Sequence, residues 1–70
     1  MPNNIVDARG LSCPQPVLMT KNALLSKEDS YEVIVDNGTA RENVTRFAQH
    51  AGYQVSCIEQ DGDYHLSLTR

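Results

Sequence analysis

The chain has few of the residues that build a large core. It has no tryptophan and one phenylalanine, and aromatic residues make up 6% of its 70 residues. A domain of this size buries only ~60% of the surface of its unfolded chain, so its core is small. We therefore expect a single domain over residues 1–70 with no bound cofactor, whose chemistry takes place at the surface against a macromolecular partner.

Long apolar runs and an excess of positive charge are also missing. No stretch approaches the roughly 18 apolar residues of a membrane span, and the first residues lack the basic and apolar segments of a secretory signal. The net charge is -3, which argues against direct binding of nucleic acid. These absences predict a cytoplasmic protein that contacts neither a membrane nor nucleic acid directly.

Cysteine is scarce, with Cys13 and Cys57 as the two thiols. In a reducing compartment we expect both to stay free, although a disulfide between them is possible in principle. Short-spaced ligand pairs such as C-x-x-C or H-x-x-x-H are absent, so Cys13, Cys57, His50 and His65 do not predict a metal site.

The most informative motif is Cys13-Pro14-Gln15-Pro16, which precedes the apolar run Val17-Leu18-Met19. Proline is well tolerated in the first turn of a helix, because the missing N–H has no intrahelical partner there. The two prolines therefore predict that Cys13 lies at or beside the start of a helix. The helix dipole favours thiolate at that position. We interpret Cys13 as a reactive thiol, and the alternative is a small buried hydrophobic residue.

Hydrophobic periodicity and turn residues predict the element order βαβαββ. Asp61-Gly62 indicates a two-residue hairpin between the last two strands. The expected strands are Ile5–Arg9, Tyr31–Asp36, Tyr53–Gln60 and Tyr64–Thr69, and the expected helices run from Pro14 to about Lys27 and from Thr39 to Gly52.

The second helix carries clear end signals. Thr39 and Glu42 have the spacing of a capping box, with Thr39 as the N-cap. Gly52 is placed to end the helix in the left-handed conformation. His50 falls in the last turn, where a cationic imidazole suits the helix dipole. A structural role for His50 is therefore favoured over a catalytic one.

The strand patterns assign most side chains to one of two sheet faces. Cys57 shares a face with Val55 and is expected to replace an aliphatic core residue. Right-handed crossovers place both helices on the same face if the sheet grows without reversing direction. The other face is expected to be open, with His65 turned toward solvent. Ile34 and Ile58 also lie there, either by chance or as a docking patch.

The stretch Val6–Leu18, followed by Lys21 and Ala23-Leu24, resembles the TusA/SirA-like sulfur-carrier family over essentially the whole chain. The signature is a C-P-x-P motif after a D-x-x-G element. The resemblance implies a two-layer α/β sandwich, with two helices on one face of a four-stranded mixed sheet of strand order 1-2-4-3. It also implies that Cys13 receives sulfane sulfur as a persulfide and passes it on. Gly10, Pro14, Gln15 and Pro16 would shape the site.

The implied partners are proteins. The donor would be a cysteine desulfurase or a rhodanese-like protein, and the downstream sulfur acceptor would serve tRNA thiolation, molybdenum-cofactor assembly or a related route. The second half, including Val35-Asp36-Asn37 and Ala40–Val44, resembles the N-terminal domain of YedF-type selenium-metabolism proteins. Two alternatives therefore stay open. One is a selenium carrier that uses the same thiol, and the other is a non-catalytic interaction domain of regulatory function.

Two cations are candidates for a positive rim around the thiol. Arg9 precedes Gly10, and Lys21 lies two turns into the Cys13 helix. Such a rim would hold a persulfide anion and steer an acidic donor surface. The alternative for Lys21 is a stem that covers core while its ammonium group reaches water. We expect the protein to be a monomer.

Overall fold

The fold is seen in a computed structural model that describes residues 5–11, 15–26 and 29–70. The elements follow the order βαβαββ predicted from the sequence. They are β1 (Ile5–Asp7), α1 (Gln15–Leu24), β2 (Ser30–Val35), α2 (Gly38–His50), β3 (Gln54–Gln60) and β4 (Asp63–Thr69). None of the helices in these ranges is long and apolar enough to cross a membrane.

The strands form one mixed sheet in the order β1-β2-β4-β3. β1 pairs with β2 in parallel, while β4 is antiparallel to both of its neighbours. The inner strands are therefore β2 and β4, and the edges are β1 and β3. This arrangement confirms the predicted fold class and strand order.

The core lies between the helices and one face of the sheet. In β2 the alternate residues Tyr31, Val33 and Val35 are buried, as the period of two predicts. In β4 the buried positions are Leu66 and Leu68. These leucines lie opposite Val33 and Tyr31 in the register of the two strands. The inner strands therefore supply the largest part of the apolar core.

The core-facing side of α1 agrees in part with the helical spacing of its apolar residues, which predicts Val17, Leu18, Leu24 and Leu25 on that side. Val17 and Leu24 pack against the core, whereas Leu18 and Leu25 are 49% and 71% exposed. The buried residues of this helix are Pro16 and Thr20. Burial of Thr20 is possible because its hydroxyl donates a hydrogen bond of 2.9 Å to the Pro16 carbonyl. Because its hydroxyl is hydrogen-bonded within the helix, the polar side chain of Thr20 can occupy a core-facing position.

α2 begins two residues earlier than its capping-box pattern predicts. The N-cap is Asn37, whose side-chain oxygen accepts a hydrogen bond of 2.7 Å from the Ala40 amide. The prediction of Thr39 as N-cap is therefore wrong, because Asn37 satisfies the first-turn donor. At the other end, Gly52 has φ +96° and follows the helix as expected. The exposed His50 lies in the last turn.

The hairpin between β3 and β4 is confirmed. Asp61 and Gly62 both have positive φ, at 55° and 82°. Two consecutive positive φ angles define the tight turn whose twist matches that of the flanking strands. The turn fixes the register, in which Gln60 pairs with Asp63.

Candidate functional site

The candidate thiol Cys13 and its neighbour Pro14 lie outside the described residues, as does Ser12. The described parts of the site are the chain segments on either side of Cys13. Leu11 is the last described residue before the thiol, and Gln15, inside the motif, is the first described residue after it. Both stand two positions from Cys13 in the sequence.

The segment that leads toward Cys13 is fixed to the end of β2. The Ala8 amide donates a hydrogen bond of 2.8 Å to the Ile34 carbonyl, which continues the β1–β2 pairing. The Gly10 amide donates one of 2.7 Å to an Asp36 carboxylate oxygen. Gly10 has φ +78°, a conformation that costs glycine little. Asp36 thus anchors the turn three residues before the thiol in sequence.

Asp36 was not singled out from the sequence as a site residue. The sequence could indicate Asp36 only together with the strand order, because it is an acidic residue directly after a strand that is parallel to β1. The carboxyl ends of β1 and β2 lie at the same end of the sheet because the two strands are parallel. A side chain after β2 can therefore reach a turn that follows β1.

The second half of the motif, Gln15-Pro16, opens α1. Gln15 is exposed, whereas Pro16 is buried in the first turn. The prediction that the proline pair opens a helix agrees with α1 beginning at Gln15. Pro16 consequently fixes the first turn of α1 against the core.

Arg9 does not provide the free cation that the rim hypothesis requires. Its guanidinium is 2.8 Å from the Asp7 carboxylate and 3.3 Å from that of Asp63. Hydrogen bonds from Arg9 lower the pKa of Asp7 to about 2, and the same pairing raises the pKa of Arg9. The structure therefore assigns Arg9 to an ion-paired cluster that ties β1 to the start of β4.

Lys21 lies on the exposed side of α1, together with Leu18 and Leu25. Pro16 and Thr20 are buried, and Val17 and Leu24 also pack against the core. Lys21 lies one turn from both Val17 and Leu24 and is exposed, so the covering of core by its stem stays a prediction. Leu18, Lys21 and Leu25 form a continuous exposed surface, which we call the α1 outer stripe.

Cys57 is exposed, which contradicts its predicted place in the core. Its face was predicted correctly, since it lies opposite the buried Leu66. Because β3 is an edge strand, however, the helix layer stops short of this position. Cys57 instead lies in an open groove of about 390 Å³ lined from α2 by Arg41, Glu42, Thr45, Arg46 and Gln49.

The two histidines do not join the thiols. His65 lies half-buried on the open sheet face, where its Nδ1 is 2.8 Å from a Glu32 carboxylate oxygen. His65 therefore contacts Glu32 of β2, whereas the sequence predicted a side chain directed to solvent. In the described part of the chain, no three His, Cys, Asp or Glu side chains are grouped to hold a metal ion.

These features define a class of protein, a small two-layer α/β sandwich in which both helices cover one face of the sheet. The model of the family "Sulfurtransferase TusA" matches residues 4–70. The chain therefore belongs to the TusA family.

Individual relatives agree with this assignment. A sulfur carrier protein TusA of Pseudomonas aeruginosa is 33% identical over 63 residues, which are 86% of this chain and 80% of the relative. A Methanocaldococcus jannaschii relative is 44% identical over 57 residues, or 79% of this chain and 76% of its own. The crystal structure of a SirA-like protein from Desulfitobacterium hafniense matches with a TM-score of 0.86 and 33% identity, covering 93% of both chains.

Proposed function

We propose that this protein is a sulfur carrier that accepts sulfane sulfur as a persulfide on Cys13 and delivers it to an acceptor protein. The observation that carries the proposal is the Cys13-Pro14-Gln15-Pro16 motif in a chain of the TusA family. Relatives that match most of the chain are named sulfur carrier proteins.

The chemistry requires little besides the thiol. The Cys13 thiolate attacks the outer sulfur of a donor persulfide, a new S–S bond forms, and the donor leaves as its own thiolate. No external oxidant is consumed, because the sulfane sulfur moves between two thiols. A general base is unnecessary once Cys13 is ionised.

Two described features support a reactive thiol at this position. Gln15, the first residue of α1, follows Cys13 by two positions in the sequence, and helix N-terminal amides favour a nearby thiolate. On the other side, the Asp36 bond to Gly10 holds the preceding turn. The chain on both sides of Cys13 is therefore attached to elements of the fold.

The α1 outer stripe is the surface on which we expect protein partners to dock. Its leucines are 49% and 71% exposed, and Lys21 lies between them in the sequence. Exposed apolar side chains beside a cation fit a partner surface that is apolar with an acidic rim. A cysteine desulfurase or rhodanese-like donor in the cytoplasm is the expected partner, followed by a downstream sulfur acceptor.

The carrier proposal is tested by incubating the protein with a cysteine desulfurase and cysteine and measuring its intact mass. The wild type is expected to gain one reducible sulfur atom. Cys13→Ser should gain none, while the matched variant Cys57→Ser should behave as wild type. Sulfur loading that survives Cys13→Ser and is lost with Cys57→Ser would move the site to β3.

Docking on the stripe is tested separately from the thiol. Leu18→Glu should slow sulfur acceptance from the desulfurase at least severalfold while leaving the rate of Cys13 alkylation by iodoacetamide unchanged. Gln49→Glu, an exposed change on α2, serves as the control. If both variants accept sulfur at the wild-type rate, partners dock elsewhere.

A further inference from the structure

The edge strand β3 is open along its outer side. It is the last strand in the order β1-β2-β4-β3 and pairs only with β4 among the described residues. Six of its seven residues are exposed, and Val55 is the exception. An open edge of this length is a template for another strand.

The hydrogen-bond pattern shows which backbone groups are unpaired at this edge. The Ile34 carbonyl accepts from Ala8, the residue after β1, and therefore points away from β4. In an antiparallel ladder, hydrogen-bonded and non-hydrogen-bonded residue pairs alternate. The neighbouring pair Val33 and Leu66 is therefore hydrogen-bonded, and the backbone N–H and C=O of Leu66 point toward β2 and away from β3. Cys57 lies opposite Leu66, so its N–H and C=O point to the open edge. The same alternation exposes the backbone groups of Val55 and Glu59.

The open edge is symmetric about Cys57. Val55 and Glu59 stand two residues to either side of it, and Cys57 is the central residue of Gln54–Gln60. The strand contains no proline, lysine or glycine, and Glu59 is its single charged residue. Natural edge strands normally carry such protecting residues, and this one is only lightly protected.

We propose that a second copy of this chain pairs with β3 in antiparallel orientation, about a twofold axis that passes beside Cys57. Cys57 then lies opposite Cys57 of the second copy, and Val55 lies opposite Glu59. Each of these pairs can exchange two backbone hydrogen bonds. The two sheets become one continuous eight-strand sheet with both helix layers on the same side.

The exposed side chain of Ile58 favours a second copy of this chain over an unrelated strand as the occupant of the β3 edge. Ile58 is 62% exposed on the open sheet face. In the symmetric register it becomes the diagonal neighbour of Ile58 in the second copy, at ~7–8 Å between backbones, which is within reach of long side chains. The pairing thus covers two exposed isoleucines with each other.

The charges are compatible with the same register. Arg41 stacks on Tyr64, which pairs with Glu59, so Arg41 marks the Glu59 end of the groove. Gln49 marks the opposite end, because α2 leads directly into β3. The twofold axis keeps the two Glu59 side chains apart and brings each to the Gln49 end of the other copy. Arg46, which forms no ion pair within the described ranges, lines the same groove and follows Arg41 along α2 toward Gln49.

The contact is small, so the dimer is weak and reversible. It replaces the sequence-based expectation of a monomer, and it stands independently of the function proposed for Cys13. Weak pairing at the edge far from β1 leaves the α1 outer stripe free for other partners.

Disulfide trapping tests the register. In Cys13→Ser protein, mild oxidation with diamide should convert Cys57 rapidly to a covalent dimer. The control is Gln54→Cys in a chain that also carries Cys13→Ser and Cys57→Ser. In the proposed register the introduced cysteines of the two chains would lie six residues apart along the strand. That separation is ~20 Å, which is beyond the range of a disulfide. Trapping of Gln54→Cys as fast as Cys57 would overturn the proposed register.

Sedimentation equilibrium tests the association without any crosslink. The Cys13→Ser protein should show a concentration-dependent dimer, and Ile58→Lys should weaken it at least tenfold. Ile5→Lys, at a 48% exposed isoleucine on the other edge strand, should leave it unchanged. A protein that stays monomeric to millimolar concentration, or one weakened equally by both changes, would refute the pairing.

Discussion

At the scale of single residues, three carboxylates near Gly10 have separate tasks. Asp36 accepts the Gly10 amide at 2.7 Å, whereas Asp7 and Asp63 neutralise Arg9. The first contact positions backbone that leads to the candidate thiol. The other two join strands that are not neighbours in the sheet, since β1 and β4 lie on either side of β2.

Removal of the Asp36 carboxylate should affect the site more than the fold. Asp36→Ala is expected to slow Cys13 alkylation and sulfur acceptance severalfold, because Gly10 loses its acceptor. The cost in unfolding free energy should be about 1 kcal/mol, as the bond is exposed. Asp36→Asn keeps an acceptor oxygen and should recover most of the rate. Equal rates for wild type and Asp36→Ala would show that the turn is held without this bond.

The Arg9 cluster should give the protein a specific acid response. The pKa of Asp7 is lowered from 3.8 to about 2, so its contribution to stability is complete above pH 3.8 and is lost as the pH falls toward 2. Asp7→Asn should therefore lower the thermal midpoint at neutral pH, and the difference from wild type should shrink below pH 3.8. Asp61→Asn, in the exposed hairpin turn, is the control. A difference that is constant with pH would contradict the ion-pair assignment.

At the scale of elements, the helices show where patterns mislead. In α1 helical spacing predicted four apolar residues on the core side, and Val17 and Leu24 pack there, whereas Leu18 and Leu25 are exposed. Apolar residues on a surface are tolerated, and here they coincide with the helix that follows the thiol motif. In α2 the buried positions Val44 and Ala48 follow the predicted spacing. Apolar spacing therefore predicts burial better for α2 than for α1.

The start of α2 allows a direct comparison of two capping residues. Asn37→Ala should lower the unfolding free energy by about 1 kcal/mol, because the Ala40 amide loses its side-chain acceptor. Thr39→Ala should cost less than about 0.5 kcal/mol, as expected for an exposed position without a capping bond. Urea unfolding measures both. A larger loss for Thr39→Ala would restore the capping-box prediction.

At the scale of the whole molecule, stability resides in the two inner strands and the helices above them. Leu66 and Val33 are fully buried and lie opposite each other, whereas β3 is exposed at nearly every position. This gradient separates a buried centre from an exposed edge strand. It also explains why Cys57 shares a face with the core without belonging to it.

The gradient predicts unequal responses to the same substitution. Leu66→Ala should destabilise the protein by ~2–5 kcal/mol, because it opens a cavity in the centre of the core. Many small domains have little more stability than this, so partial unfolding at room temperature is expected. Leu25→Ala, at a residue 71% exposed, should change the unfolding free energy by less than about 0.5 kcal/mol. Thermal unfolding followed by circular dichroism measures both, and similar losses would place the core elsewhere.

The amino-acid sequence by itself determined the order of elements, the hairpin at Asp61-Gly62 and the side chains on each sheet face. These features depend on local periodicity and turn chemistry, which a sequence displays directly. The resemblance to a known family supplied the strand order that the pattern left open. The thiol motif was also visible in the sequence, and Cys13 lies outside the described residues, so its role stays a prediction.

Tertiary structure alone decided which of those side chains are buried and paired. Cys57 is exposed because β3 is an edge, Arg9 gains Asp63 as a second carboxylate partner because β4 begins beside it, and Gly10 is anchored because Asp36 directly follows β2. Each outcome depends on residues distant in the chain that meet only after the sheet has formed. Periodicity reports which way a side chain points, whereas burial and charge pairing depend on what lies opposite it.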